Sequence, residues 1–224
     1  MMKATRLLII FFITSLMLSS VAQAARLSLV GVDDLATGSY SNQPSGFTAP
    51  SISSKSGFGG GLLLDEMVSR EVMFEIGALY LTREYGSSGG SISGVATDST
   101  TTTQHVIQFP VQLKFRLLPM LHIGVGGYLS EGVGSIDSQD STNPSQSNSS
   151  ESYSSANIKK TDYGLLGSVG LSLPLTMTTH FIVEGRYAYG LANVYADPNS
   201  TGLTIKNRDI QILAGFTFAL GSHR

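Results

Sequence analysis

The chain has 224 residues, of which 42% are hydrophobic and only 13% are charged, with 25 glycines and no cysteine or tryptophan. An ordinary soluble domain carries roughly 25% charged residues, so part of this surface is expected to face something other than water. The formal charge of −2 argues against nucleic acid as a partner, because phosphate binding needs a clustered basic surface. The absence of cysteine excludes disulfides, thiolate zinc sites and thiol nucleophiles.

The N-terminus has the pattern of a secretory signal peptide, expected to occupy residues 1–24. Lys3 and Arg6 precede an apolar run at residues 7–18, and residues 22–24 read Ala-Gln-Ala, a small-x-small cleavage site. The run is shorter than the roughly 20 apolar residues that a membrane-spanning helix needs. Cleavage removes two of the 14 basic residues and leaves 12 against 16 acidic ones, a formal charge of −4. The rest of the chain, residues 25–224, is predicted to form one all-β domain.

Apolar residues alternate with polar ones along strand-length segments, most clearly at residues 104–117. There the odd positions are almost all apolar, and the even positions include Gln108, Gln112, Lys114 and Arg116. Successive side chains of a strand point to opposite faces, so this segment is predicted to be an amphipathic strand. It exceeds the roughly 9–11 residues with which a tilted strand crosses a bilayer. In chain order, the eight predicted strands occupy residues 26–35, 57–68, 71–85, 104–117, 121–129, 162–173, 181–189 and 210–220.

The connections between these strands alternate strictly between short and long. The short turns are at residues 65–70, 118–120 and 174–179, and the long polar connections are at residues 37–55, 86–103, 134–160 and 192–206. This order is typical of an up-and-down barrel with tight turns and both termini at one rim and long loops at the other. The third long connection contains a polar tract of low complexity, which we expect to be a mobile external loop because it has little apolar area to bury.

Only helices and closed barrels satisfy their backbone hydrogen bonds inside hydrocarbon, so the apolar faces are predicted to face lipid and the polar faces the lumen. The interior of an eight-stranded barrel is just wide enough for side chains to fill it. Because both signs of charge are present and would pair across it, we expect a plugged barrel without an open channel. The expected lumen network consists of Glu75, Arg83, Gln108, Gln112, Lys114, Arg116, Glu184, Arg186, Asp209 and Gln211.

No catalytic, cofactor-binding or metal-binding motif is found, so no enzyme activity is predicted. The four histidines are far apart in the sequence. Neither His122 nor His180 begins a His-x-Ser pair like that of lipid-modifying barrel esterases, because the residue two positions later is not serine. Five tyrosines fall near strand ends beside the long loops, where an interfacial aromatic girdle is expected: Tyr80, Tyr85, Tyr163, Tyr187 and Tyr189.

Several segments together resemble the bacterial outer-membrane β-barrel domain family, the small barrels that are porin-like or similar to the transmembrane part of outer-membrane protein A. They are Phe-Pro-Val-Gln-Leu-Lys-Phe at 109–115, Gly-Val-Gly-Gly-Tyr at 124–128, and residues 164–171, 184–191, 206–212 and 215–218. The resemblance implies an eight-stranded antiparallel up-and-down transmembrane β-barrel in the outer membrane of a Gram-negative bacterium. It also implies contact with outer-membrane lipid and insertion by the barrel assembly machinery.

Three functions follow from this architecture. The first is an integral outer-membrane protein with a structural or surface-interaction role, whose loops meet a partner that the sequence does not identify. The second is a narrow porin passing small solutes, and the third is a soluble lipocalin-like carrier of an apolar ligand. The third function differs from the other two in which face of the strands points inward. In a carrier the apolar face of residues 104–117 lines the cavity, whereas in a membrane barrel it faces lipid.

Overall fold

The computed structural model describes residues 25–41, 51–88, 91–92, 95–96, 99–142, 145–196, 202 and 204–220. The predicted signal peptide at residues 1–24 lies outside the described residues. Within them there are eleven strands: β1 (Ala25–Ser41), β2 (Ser51–Met67), β3 (Val72–Ser88), β4 (Ser91–Ile92), β5 (Val95–Ala96), β6 (Ser99–Arg116), β7 (Leu121–Thr142), β8 (Ser145–Glu151), β9 (Thr161–Pro174), β10 (Thr179–Gly190) and β11 (Thr204–Ala219). The described part of the chain contains no helix with the length and apolarity needed to cross a membrane.

Eight of these strands close into a ring in which every neighbouring pair is antiparallel. The order around the ring is β1, β2, β3, β6, β7, β9, β10 and β11, after which β11 pairs with β1. Each barrel strand therefore pairs with the barrel strands that precede and follow it in the chain, and the ring leaves no open edge in the barrel wall. The prediction of an eight-stranded antiparallel up-and-down barrel is confirmed.

The tight turns all lie at one rim, which we call the turn end. They comprise residues 68–71, 117–120 and 175–178, and each is closed by backbone hydrogen bonds such as Val68 N to Val72 O at 2.9 Å. The hydroxyl oxygens of Ser69 and Thr176 accept further hydrogen bonds from the backbone within two of these turns. The strand ends that flank the long connections lie at the opposite rim, the loop end, so the predicted alternation is confirmed.

The strands extend further at the loop end than the sequence pattern indicated. β1 runs to Ser41 and β7 to Thr142. The alternation of apolar and polar residues in the sequence predicts that these two strands end at residues 35 and 129. The low-complexity tract continues the barrel as a hairpin, because β8 pairs with β7 from Ile136↔Glu151 to Thr142↔Ser145, and its mobility stays a prediction. This hairpin needs no apolar face, since its backbone ladder continues from the barrel strand β7 and both of its faces can meet water.

The sidedness of β6 decides between a membrane barrel and a soluble carrier. Phe109, Val111 and Leu113 point outward with 44%, 45% and 43% of their surfaces exposed, whereas Gln108 and Gln112 are no more than 1% exposed. The same outward apolar face continues around the ring on every barrel strand, as at Leu29, Leu62, Tyr80, Val125, Val169, Val183 and Ile212. This is the reverse of a lipocalin, whose apolar face lines a cavity, so the soluble-carrier alternative is wrong.

The lumen also holds an apolar cluster that the sequence analysis did not anticipate. Leu79 and Leu81 on β3 are fully buried, and they share this cluster with Val30, Val32, Leu63, Val106, Ile182 and Leu213. On the neighbouring strand, Gly59 faces Leu81 and Gly61 faces Leu79; a Cβ at either glycine would lie within 2.9 Å of a leucine Cδ2. The glycines of β2 therefore make room for leucines inside the barrel.

Candidate functional site in the barrel lumen

Near the turn end, buried charges form a group that we call the turn-end cluster, consisting of Asp65, Glu75, Lys114, His122, Glu184 and Arg186. Lys114 Nζ lies 2.5 Å from Glu75 Oε2 and 2.7 Å from Glu184 Oε2. Arg186 binds the same two carboxylates, at 2.8 Å to Glu75 Oε1 and 2.6 Å to Glu184 Oε1. His122 Nε2 lies 2.9 Å from Glu184 Oε2. The carboxylates of Glu75 and Glu184 are thus each bound by both Lys114 and Arg186, and Glu184 is also bound by His122.

A second group, the loop-end cluster, surrounds one guanidinium with three carboxylates and consists of Asp34, Arg83, Asp162 and Asp209. Arg83 Nη2 lies 2.8 Å from Asp209 Oδ2, while its Nη1 lies 3.5 Å from Asp162 Oδ2 and its Nε 3.6 Å from Asp34 Oδ2. One cation against three carboxylates leaves an excess of negative formal charge. Arg83 occupies the centre of this group.

Neutral polar side chains add hydrogen bonds to both clusters, although both oxygens of Asp34 and of Asp209 accept none from the residues that the structure describes. Gln112 Nε2 donates to Glu75 Oε1 at 2.7 Å, and Ser168 Oγ donates to Gln112 Oε1 at 3.1 Å. In the loop-end cluster, Asp162 Oδ2 accepts hydrogen bonds from Tyr128 Oη at 3.1 Å and Asn207 Nδ2 at 2.9 Å. These bonds matter because a buried charge without partners is costly, whereas one with several hydrogen bonds is tolerated.

Several of these contacts join opposite walls of the barrel. In the ring of eight, β3 and β10 are four strands apart in either direction, as are β6 and β11. The Arg186–Glu75 ion pair joins β10 to β3, and the hydrogen bond from Gln211 Nε2 to Gln108 Oε1, at 2.9 Å, joins β11 to β6. The full width of the lumen is therefore crossed by bonded side chains at two levels.

The structure brings most of the expected network together. Glu75, Gln112, Lys114, Glu184 and Arg186 lie in or against the turn-end cluster, and Arg83, Gln108, Asp209 and Gln211 lie in or against the loop-end cluster.

Arg116 is the exception to the expected network. It is half-buried at the turn-end mouth, beside a cavity of about 220 Å³, and its Nη2 lies 3.9 Å from Met73 Sδ. No carboxylate of the described residues pairs with it within 4.0 Å. Arg116 is the last residue of β6, where the lumen opens to water, so its charge needs no buried partner.

Sequence reasoning missed four charged or titratable residues of the clusters: Asp34, Asp65, His122 and Asp162. Each of them lies between two outward-facing residues of its strand. The alternation of inward and outward positions along the strand was therefore the signal that could have found them. Asp34 follows Val30 and Val32 on the inner face of β1, and that apolar inner face concealed the alternation.

Four of the five predicted girdle tyrosines point outward with at least 40% of their surfaces exposed, namely Tyr80, Tyr163, Tyr187 and Tyr189. Tyr85 does not, and its assignment to the girdle is wrong. Its hydroxyl donates to Asn207 Oδ1 at 3.3 Å inside the barrel, because odd positions of β3 face inward and Tyr80 is at an even one.

The described histidines lie apart and have different environments. His105 stacks on Tyr80 with ring centroids 5.9 Å apart, His122 is bound to Glu184, and His180 lines the turn-end cavity. Within the described ranges, no group of three histidine, cysteine or acidic residues has a geometry that could hold a metal ion.

The fold and the sidedness agree with a comparison against known protein families. The family model for the outer membrane protein beta-barrel domain matches residues 25–196. The chain belongs to this family. As an outer-membrane β-barrel, it is embedded in outer-membrane lipid through its exposed apolar band. In this family of folds the short turns face the periplasm and the long connections the cell exterior.

Solved structures similar to this outer-membrane barrel are themselves small outer-membrane barrels. Neisserial surface protein A is 17% identical, with a TM-score of 0.44, over 87% of this chain and 96% of that one. The outer membrane protein OprG from Pseudomonas aeruginosa is 14% identical, with a TM-score of 0.47, over 90% and 97%. The attachment invasion locus protein Ail of Yersinia pestis, solved with the heparin analogue sucrose octasulfate, is 12% identical, with a TM-score of 0.42, over 88% and 99%. A comparison with curated proteins found no match.

Proposed function

We propose that this protein is a closed outer-membrane barrel with a structural or surface-interaction role, and that it is neither a solute channel nor an enzyme. The observation that carries this proposal is the pair of contacts between opposite walls, Arg186 with Glu75 and Gln211 with Gln108. A hydrated ion moving through the lumen would have to break bonds at two successive levels. Each buried charge so exposed loses partners in a region of low dielectric, which is strongly unfavourable.

The surface-interaction role is supported by what extends beyond the apolar band. The β7–β8 hairpin and the loop-end segments of the other strands carry serine, threonine and asparagine at a rim that faces the exterior. Such polar extensions add no membrane-embedded area, so we assign them to contact with an external partner.

The proposal that the protein is not an enzyme is supported by the fixed environments of its candidate catalytic groups. His122 and Glu184 are buried and bound within the turn-end cluster, and His105 is stacked beside Tyr80 on the outer wall. We also infer that the barrel assembly machinery inserts the chain. The last barrel strand, β11, presents Phe216 and Phe218 to lipid at 46% and 44% exposure, consistent with an aromatic signal on the terminal strand.

Single-channel recording in planar bilayers tests the closed lumen. The wild-type protein is expected to give no steady openings, and so is Arg116→Ala, because Arg116 lies at the mouth outside both clusters. A variant that removes both opposite-wall contacts, with Glu75, Gln108, Arg186 and Gln211 all changed to alanine, is the positive control and is expected to conduct if circular dichroism shows a folded barrel. Steady openings of the wild type would refute the closed lumen and support the narrow porin.

A further inference from the structure

A cavity of about 270 Å³ lies at the loop end of the barrel, on the exterior side of the Arg83 cluster. It is roofed by two segments that we call the cap, residues 152–160 and 191–196. Its floor is formed by Tyr85 and Asn207, whose mutual hydrogen bond connects it to the carboxylate of Asp162 below. The cavity therefore has a fixed floor and is separate from the ionic clusters that close the lumen.

The two cap segments hold each other in place through backbone hydrogen bonds. Lys159 N donates to Val194 O at 2.8 Å, and Ala196 N donates to Asn157 O at 2.8 Å, on either side of an antiparallel bridge between Ile158 and Tyr195. The second segment is tied to the barrel wall, because Val194 N donates to Ile205 O of β11 at 2.9 Å. Asn193 Oδ1 accepts a hydrogen bond from Ile205 N at 2.9 Å.

The first segment of the cap is anchored by Tyr153, which is only 2% exposed. Its hydroxyl donates to the backbone oxygen of His105 at 3.0 Å, and its ring packs over Gly132, where a Cβ would lie 2.6 Å from Tyr153 Cε1. The neighbouring Gly134 adopts a left-handed φ of 72°, next to a register shift between β6 and β7 at Gln104 and His105. Only glycine fits both the contact at 132 and the backbone at 134 without strain.

The lining of the cavity is mostly apolar or aromatic, and none of the lining residues that the structure describes is charged. The aromatic and aliphatic side chains are Tyr40, Tyr85, Tyr195, Ile158, Val194 and Ile205. Thr102, Gln104 and Asn207 supply one hydroxyl and two amides. A charged ligand would lose its hydration without meeting an opposite charge, whereas an uncharged molecule with an apolar body would bury its surface and keep one or two hydrogen bonds.

We propose that this cavity is a binding site for an uncharged molecule with a one- or two-ring apolar body and a single hydrogen-bonding group, taken up from the exterior. The volume supports this size, since a dry cavity of about 150 Å³ suffices for benzene. The ligand lies on the exterior side of the Arg83 cluster, so the proposal holds whether or not the lumen conducts ions.

Binding of 2-naphthol to the refolded barrel, followed by saturation-transfer NMR and calorimetry, tests the site. The wild type is expected to bind 2-naphthol at least tenfold more tightly than the anion 2-naphthoate. Gln104→Phe, which fills the cavity from the wall, is expected to weaken 2-naphthol binding at least tenfold. Gln139→Phe makes the same exchange at an exposed position of β7, and it is expected to change the affinity for 2-naphthol less than twofold.

The same experiment contains the results that would overturn the site. Equal binding by the wild type and Gln104→Phe would show that 2-naphthol only partitions into detergent, and equal binding of 2-naphthoate would refute the uncharged cavity. If Gln104→Phe does not fold, Val194→Asp decides, because it places a carboxylate in the cavity from the cap. It must then weaken 2-naphthol binding at least tenfold, and an unchanged affinity overturns the proposal.

Discussion

Each buried cation in the lumen is surrounded by more than one carboxylate. Arg83 faces three, and Lys114 lies within 4.0 Å of three others, Asp65, Glu75 and Glu184. Because these groups are removed from water, deleting one partner leaves the rest uncompensated, and that penalty exceeds what an exposed pair contributes. At the scale of single residues, the stability of the lumen therefore depends most on its few cations.

Replacing Lys114 by methionine tests this dependence. The change keeps most of the side-chain volume and leaves Arg186 as the one described lysine or arginine that pairs with the carboxylates of the turn-end cluster, so we expect the free energy of unfolding to fall by about 3–5 kcal/mol. The measurement is urea unfolding of the protein refolded into lipid vesicles. Lys159→Met, at an exposed cap position, is the matched control and should change it by less than about 0.5 kcal/mol. A loss below about 1 kcal/mol for Lys114→Met would contradict the assigned role.

At the scale of elements, the loop-end segments are held by specific contacts and not by an apolar face of their own. Tyr153 is the clearest case, because its ring and hydroxyl attach the segment after β8 to the wall formed by β6 and β7. Burial raises the pKa of the Tyr153 hydroxyl, so it stays the donor to His105 O further into the alkaline range than an exposed tyrosine would.

Limited trypsin digestion tests this attachment, since Lys159 and Lys160 follow Tyr153 in the cap. We expect Tyr153→Ala to speed cleavage after these lysines at least tenfold, because the segment opens locally without the barrel unfolding. Tyr153→Phe removes only the hydrogen bond, worth about 0.5–1.5 kcal/mol, and should give an intermediate rate. Tyr187→Ala, at an outward-facing tyrosine of β10, should leave the rate unchanged. Equal rates for all variants would rule out Tyr153 as the anchor.

At the scale of the whole molecule, the barrel buries two ionic clusters and one apolar cluster in its interior and has an apolar exterior. In water this apolar exterior would be unfavourably solvated. The arrangement is therefore stable only where lipid surrounds the wall. The apolar band on β6 alone contains Phe109, Val111, Leu113 and Phe115, each at least 38% exposed.

A single charge placed on that band tests the sidedness. We expect Val111→Arg to lower the free energy of unfolding in lipid vesicles by about 2–4 kcal/mol if the site lies at the bilayer midplane. Ser150→Arg, at an exposed position of the β7–β8 hairpin, is the control and should have little effect. If both variants were equally stable, position 111 would not face lipid.

Alternation of side chains is a local property, which is why much of the fold could be predicted from the sequence. The 104–117 segment already separated Val111 from Gln112, and the spacing of turns and loops gave eight strands. The pattern was weakest in β1, where Val30 and Val32 face inward, and it ended early in β7, where water meets both faces and alternation is no longer required.

The sequence by itself determined the number of barrel strands, the two unlike faces of each strand and the alternation of turns and loops, because each depends on neighbouring residues. The tertiary structure decided which face points into the lumen. Only the closed ring decided which charges meet. Arg186 and Glu75 are 111 positions apart, and they touch because eight strands place β10 opposite β3 across a lumen one pair of side chains wide. The cap over the loop-end cavity was decided in the same way, since Lys159 and Val194 belong to different connections that the ring brings to one rim.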